Sequence, residues 1–242
     1  MKKSLLKLVS VLAIMCGAMS FAAPKLQVGT NAEFKPFEYL EAGKIVGFDI
    51  DLINEIGALI GKEINMNNIS FDGLLPALQT KKIDLVVAGM TATEERRKSV
   101  AFTDTYYLSE QKIMLNEGNT DIKSFDDFKG KTVGVVLGYT GDIAVSKLEG
   151  VNVVRYNGTG DAIIALKASK VDALVLDGEP AKEYAAKNKG LVVVDTDVEK
   201  EEYAIAIRKE DTQLLADVNK ALHTLKANGT YQKLLEKYNL AK

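Results

Sequence analysis

Two segments of this chain, ALQTKKIDLVVAG (77–89) and ALKASKVDALVLD (165–177), align without gaps 88 residues apart. Each reads as a helix end, a basic turn, and an Ile/Val-Asp pair that opens a buried strand. KLQVGTN (25–31) and KTVGVVLG (131–138) likewise each open a half with a strand running into a glycine-containing loop. One plan used twice predicts two similar α/β lobes. The β-branched runs 26–30, 44–48, 83–89, 132–138, 151–156, 171–177 and 190–195 read as the strands. Helical periodicity lies between them: Leu52, Ile53, Ile56, Leu59 and Ile60 share one face, with Asp49 as the expected N-cap and Gly61 as the stop. Strands alternating with helices imply parallel sheets covered on both faces.

The first 22 residues follow a different logic. Lys2, Lys3 and Lys7 precede an apolar stretch from Leu8 to Met19 and then Ser20-Phe21-Ala22, the order of a secretory signal peptide. The stretch is too short for a membrane span, which needs about 20 apolar residues. Cys16, the only cysteine, falls inside it, so cleavage after Ala22 leaves a chain with no thiol, suited to an oxidising compartment. A lipid anchor at Cys16 is the less favoured reading, because Met15 stands where a small residue is expected. Loss of three lysines from 31 basic against 33 acidic residues makes the remainder mildly acidic, which argues against a nucleic-acid partner.

In open parallel sheets a ligand sits beyond the C-terminal ends of the strands. Four loops qualify, two per half: 30–37, 88–96, 137–142 and 177–180. In the first, Phe34 and Phe37 flank Pro36, and an aromatic there serves either as a core plug or as cover for an apolar stem. In the second, TATEERR (91–97) places Arg96 one turn into a helix capped by Thr93, where a cation opposes the helix dipole. Arg96 reads either as part of a solvated face with Glu94 and Glu95 or as a fork for a carboxylate. In the third, Gly138, Thr140 and Gly141 offer amides and a hydroxyl suited to an anion, without GxGxxG or a P-loop lysine. The fourth ends in Asp177, either a turn cap or an acceptor for an ammonium group. A carboxylate clamp, an ammonium acceptor and aromatic walls outline a zwitterionic amino acid.

The segments GTNAEFKPFEY (29–39), GKIVGFDIDL (43–52), FDGLLPALQTKKIDLVVAGMTATEER (71–96), VAFTDTYY (100–107), FKGKTVGVVLGYTGD (128–142), KVDALVLD (170–177) and NGTYQKLLEKY (228–238) carry a resemblance to the polar amino-acid solute-binding proteins of ABC importers. The resemblance implies a periplasmic binding protein type 2 fold: two α/β lobes with mixed, mostly parallel sheets joined by a two-strand hinge. It implies lobe 1 over 23–108 plus 203–242, lobe 2 over 109–202, and a ligand trapped by hinge closure. Arg96 would hold the α-carboxylate with the Thr91 backbone and Thr140. The Gly89 carbonyl and Asp177 would hold the α-ammonium. Phe34 and Phe71 would sandwich the stem, and Ala88, Met90, Leu137 and Tyr139 would line the rest. Asn31 stands where many relatives have Asp, facing the distal end of the side chain, and Glu33 restores that charge only if it turns inward. The ligand choice therefore leans slightly toward a basic amino acid, arginine or lysine. A secreted, periplasmic monomer is implied, partnered by the importer's permease and needing no cofactor or metal. The alternative is a periplasmic dehydratase of the cyclohexadienyl type, for which Glu33 and Asp177 are the only acids placed to act; His223 reads as a surface residue.

Overall fold

A computed structural model describes residues 25–241 apart from residues 197 and 199; the signal segment 1–22 and Cys16 lie outside the described residues. The chain begins with β1 (Lys25–Thr30), then a small antiparallel meander of β2 (Glu33–Phe34), β3 (Glu38–Glu41) and β4 (Lys44–Val46). α1 (Phe48–Leu59), β5 (Glu63–Asn68), α2 (Phe71–Gln79), β6 (Leu85–Val86), α3 (Glu94–Ser99) and β7 (Ala101–Phe102) follow. β8 (Tyr107–Ser109) crosses to β9 (Gln111–Asn116), β10 (Thr132–Val136), α4 (Thr140–Val145), β11 (Asn152–Tyr156), α5 (Thr159–Lys167), β12 (Ala173–Asp177), α6 (Gly178–Lys187) and β13 (Leu191–Val194). β14 (Glu201–Tyr203) returns to β15 (Ala206–Ile207), α7 (Thr212–Ala227) and α8 (Thr230–Lys237).

These elements form two five-stranded sheets, β5-β1-β6-β15-β7 and β11-β10-β12-β9-β13, one per lobe. β1 runs parallel to β5 and β6, and β10 parallel to β11 and β12, while β15 and β9, arriving from the crossovers, each add an antiparallel strand one place in from the edge. β8 and β14 pair antiparallel between the lobes, Tyr107 opposite Tyr203. Two strands running side by side from one body to the other make a hinge.

The sequence repeat is physical. Lys81 (φ 61°) and Ser169 (φ 53°), equivalent in the two segments, both turn the chain through left-handed backbone. The aspartate that follows then accepts from the strand that opens its repeat, β1 in one lobe and β10 in the other. Asp84 Oδ2 takes the Gln27 amide at 2.9 Å, and Asp172 Oδ2 takes the Thr132 amide at 2.7 Å. In each case the aspartate's own amide donates to the same strand residue, Gln27 or Thr132. The Ile/Val-Asp pair thus fixes the register of β6 on β1 and of β12 on β10.

The first three positions of the predicted α1 face pack as expected, with Leu52, Ile53 and Ile56 fully buried, but Leu59 is 49% exposed and Ile60 only half-buried, so the apolar face fades in the last turn. Gly61, at φ 68°, follows the C-cap Ile60 as the expected stop. The N-cap is a correction: Gly47 caps α1, and Asp49 lies inside the first turn. The amides of Phe48 and Asp49 donate to the carbonyls of Pro36 and Phe37, so the loop backbone satisfies helix donors that a side-chain cap would otherwise serve. The expected strands 44–48 and 83–89 are also shorter, ending at Val46 and pairing only over Leu85–Val86. The remainder of the second run turns inward to build the site.

Asp84 also receives Arg208 Nη2 at 3.3 Å, whose Nη1 donates to the Ile83 carbonyl at 2.6 Å. Replacing Asp84 with Ala is expected to lower the unfolding free energy by about 1–3 kcal/mol in urea titrations, through the orphaned amide and guanidinium.

Candidate functional site

The site is assembled where the β6 strand stops. Val87 N still donates to the Gly29 carbonyl, but Gly89 takes φ 49° and the chain leaves the sheet. Only glycine fits there: a Cβ would lie 2.5 Å from Phe34 Cε1. The buried carboxylate of Asp49 pins the turn, accepting the Gly89 amide at 2.8 Å and the Tyr106 hydroxyl at 2.7 Å. Thr91 then bridges to Tyr203 of the hinge, and the Ala92 amide donates to Glu202. Thr93 caps α3 as predicted, its hydroxyl accepting Arg96 N at 3.2 Å.

That cap fixes Arg96, which points inward and is 8% exposed. Its Nη1 donates to the Thr91 carbonyl at 2.8 Å in its own lobe, and its Nη2 to the Gly138 carbonyl at 2.9 Å in the other. The guanidinium also lies 5.1 Å from the centre of the Phe71 ring. Burial pulls the Arg96 pKa down, and the negative fields of Glu201 and Asp177 oppose this. Arg97, the neighbouring cation, is exposed and donates to the Ala92 carbonyl. The choice left open between a solvated arginine and an inward fork falls one way for Arg97 and the other for Arg96.

Eight expected residues line one enclosed space of about 10 Å³ between the lobes: Phe34, Phe71, Gly89, Thr91 and Arg96 from one side, Tyr139, Thr140 and Asp177 from the other. Asn31 borders it, its Oδ1 accepting the Tyr139 hydroxyl at 3.0 Å. Four expected residues stand elsewhere. Ala88 and Met90, each 1% exposed, are buried outside this lining, because the turn at Gly89 presents Gly89 and Thr91 of that run to the space. Leu137 is half-buried and lies outside this lining. Glu33 is exposed and does not turn inward. Its carboxylate packs on Gly158, where a Cβ would meet Oε2 at 2.4 Å, in an outer cavity of about 610 Å³.

Asp177 occupies the N-cap position of α6 without capping it, and accepts the Tyr203 hydroxyl at 2.5 Å. Burial pushes its carboxyl well above the usual carboxylate range, with Glu201 adding to the shift and Tyr203 opposing it. Glu201, unforeseen in the sequence, lies at the crossing: its Oε2 accepts Thr91 Oγ1 (2.9 Å), Thr140 Oγ1 (2.9 Å) and Gln111 Nε2 (3.2 Å). One hinge carboxylate thereby ties a hydroxyl from each lobe. Within the acidic run around it, Glu201 reads as solvated; only the pairing of β14 with β8 gives it a role. His223 lies far from this chemistry, an exposed residue beside Asp104 at 2.7 Å. Among the described residues no group of His, Cys, Asp or Glu is placed to hold a metal ion, and no helix is long and apolar enough to cross a membrane.

The comparisons decide the family. Residues 26–241 match the sequence model of the bacterial extracellular solute-binding proteins, family 3. The chain belongs to this family. It is 36% identical over 252 residues to the arginine-binding extracellular protein ArtP of Bacillus subtilis (strain 168), covering 98% of both chains. Among solved structures it resembles holo ArgBP from T. maritima, with TM-score 0.82 and 46% identity, over 88% of this chain and 95% of that one. It also resembles an ancestral arginine-binding protein bound to glutamine, with TM-score 0.87 and 44% identity, over 90% and 98%. The family's two-lobed fold with its hinge is the one found here.

Behind the site, Glu38 is wholly buried against Asp49. Burial first, then the Asp49 charge, push the Glu38 carboxyl well up, and burial pushes Asp49 up to about 6. Groups whose folded pKa is raised bind protons more tightly in the native state, so their stabilisation is full below the unfolded value and is lost as pH rises through the folded one. Glu38→Gln gives Asp49 a neutral donor. It is expected to raise the melting temperature at pH 8 and, measured by calorimetry, to flatten the fall in stability between about pH 4 and 7 that the raised carboxyls predict for the unsubstituted protein.

Proposed function

We propose that this chain is an extracytoplasmic substrate-binding protein that captures a free L-amino acid by hinge closure and delivers it, as a monomer, to the permease of an ABC importer. The moving bodies are 23–108 with 203–242, and 109–202. One observation carries the reading: a buried guanidinium, hydrogen-bonded to two carbonyls, shares a small interlobe space with a buried carboxyl. A free amino acid brings the complementary pair of charges. Its carboxylate takes Arg96 with the Thr91 backbone and Thr140, and its ammonium takes Asp177 and the Gly89 carbonyl. Its stem lies between Phe34 and Phe71.

Micromolar affinity needs about −8 kcal/mol. Charge-assisted hydrogen bonds at about 1.5–3 kcal/mol each supply this after association costs of at least about 4 kcal/mol. The ligand preference leans to a basic amino acid, supported by the arginine-binding relatives. Asn31 provides an acceptor and no charge at the distal end, so a guanidinium there is met by a dipole. The dehydratase reading has no support of its own: of its two candidate acids, Glu33 lies outside the inner space, and Asp177 is taken by the Tyr203 hydroxyl.

Arg96→Ala is expected to abolish the thermal shift produced by the preferred amino acid, a loss of at least about 100-fold in affinity. Arg97→Ala is expected to stay within about threefold of the parent. Equal effects of the two would reject the assignment. Binding is also proton-linked: an ammonium beside Asp177 favours its ionised form, so a proton leaves as the ligand enters. Affinity therefore rises with pH through the range in which the unliganded Asp177 titrates. Calorimetry in buffers of different ionisation heat is expected to record net proton release, and Asp177→Asn to remove it.

A further inference from the structure

Tyr139 is counted above as wall, yet its ring stands where the ligand's stem would go. The ring centre lies 4.5 Å from that of Phe71 and 5.4 Å from that of Phe34, edge-on to both. Its hydroxyl donates to Asn31 Oδ1 at 3.0 Å, and the side chain is 5% exposed. The space remaining, about 10 Å³, is roughly what a single water molecule needs and far too small for an amino acid. Neighbouring groups are also paired within the chain: Arg96 with two carbonyls, the Thr140 hydroxyl with Glu201, and Asp177 with Tyr203.

Accepting the amino-acid reading above, we infer that Tyr139 is an internal stand-in for the ligand side chain and the residue that sets which side chains are admitted. Its ring supplies the filling between Phe34 and Phe71, and its phenol supplies the hydrogen bond to Asn31. An amino acid enters by displacing it, and the outer cavity of about 610 Å³, which Asn31 also lines, has room for the displaced ring. A ligand replaces everything Tyr139 gives only if it has an unbranched stem thick enough to stack and a terminal N–H donor for Asn31 Oδ1. Arginine, lysine and glutamine meet both conditions. Leucine and methionine fill the slot but orphan the Asn31 oxygen, and alanine leaves the slot to Tyr139. The stand-in taxes every ligand by the population of the competent state, so weakening it raises apparent affinity.

The test uses the purified, processed protein and the Tyr139→Phe and Tyr139→Ala variants, with calorimetric titration of arginine, glutamine and leucine and small-angle scattering without ligand. Tyr139→Phe keeps the ring and loses one hydrogen bond, so arginine affinity is expected to rise about fivefold. Tyr139→Ala also loses two aromatic contacts. Arginine affinity is expected to rise about tenfold or more, the discrimination against leucine to narrow, and the ligand-free radius of gyration to increase as the lobes part. Unchanged or weaker arginine binding in both variants, with an unchanged ligand-free radius, makes Tyr139 a passive wall and overturns the inference. If no amino acid binds the parent protein, or Arg96→Ala binds as the parent does, the amino-acid reading fails instead. The scattering comparison alone then decides whether Tyr139 holds the lobes together.

Discussion

The Arg96 guanidinium is the constraint around which this molecule is arranged. A cation held 8% exposed costs several kcal/mol to desolvate, and two carbonyl dipoles return only part of that. Those carbonyls, Thr91 and Gly138, belong to different lobes, so closure without a ligand takes the guanidinium out of water and gives it only these two dipoles in exchange. A carboxylate would compensate the charge fully. Binding energy and closure are therefore coupled through one side chain, and it is the exchange of carbonyl for carboxylate partners that makes a ligand worth enclosing.

The parts around Arg96 serve its placement. Thr93 caps a six-residue helix so short that Arg96 is at once in its first and last turns, and the hinge pairs Thr91 with Tyr203. Asp49, freed from capping by the Pro36 and Phe37 carbonyls, reaches across to hold Gly89. Glu201 sits at the crossing and takes hydroxyls from both lobes. Glu201 and Asp177 also set the negative field that offsets part of the burial cost at Arg96. These groups form one electrostatic unit across the hinge, and none is explained by its own lobe alone.

Much of this was legible in the sequence, and the limits have physical causes. The doubled segment was readable because Asp84 and Asp172 do the same local work in each lobe, and local work leaves a local pattern. Thr93 and Arg96 were readable as cap and fork, but only the resemblance chose the fork, since spacing alone does not say which arginine of a pair turns inward. Asp49 misled because an acid at a helix start ordinarily caps it; here distant loop carbonyls took that role. Ala88 and Met90 misled because a contiguous run was assigned to the site, whereas the turn at Gly89 presents only Gly89 and Thr91 of that run to it. Glu201 and the position of the Tyr139 ring were illegible, because each depends on lobes and hinge meeting, and no short stretch of chain encodes that meeting.

The most direct measurement is a crystal structure of the protein grown with L-arginine, refined without restraint on the ligand's orientation. The account predicts the α-carboxylate within about 3 Å of both Arg96 terminal nitrogens, in place of at least one of the two carbonyl bonds. The α-ammonium would lie at similar range from Asp177. An arginine bound with its guanidinium toward Asp177 and its carboxylate in the outer cavity, or one that leaves Arg96 bonded to Thr91 and Gly138 alone, would contradict it.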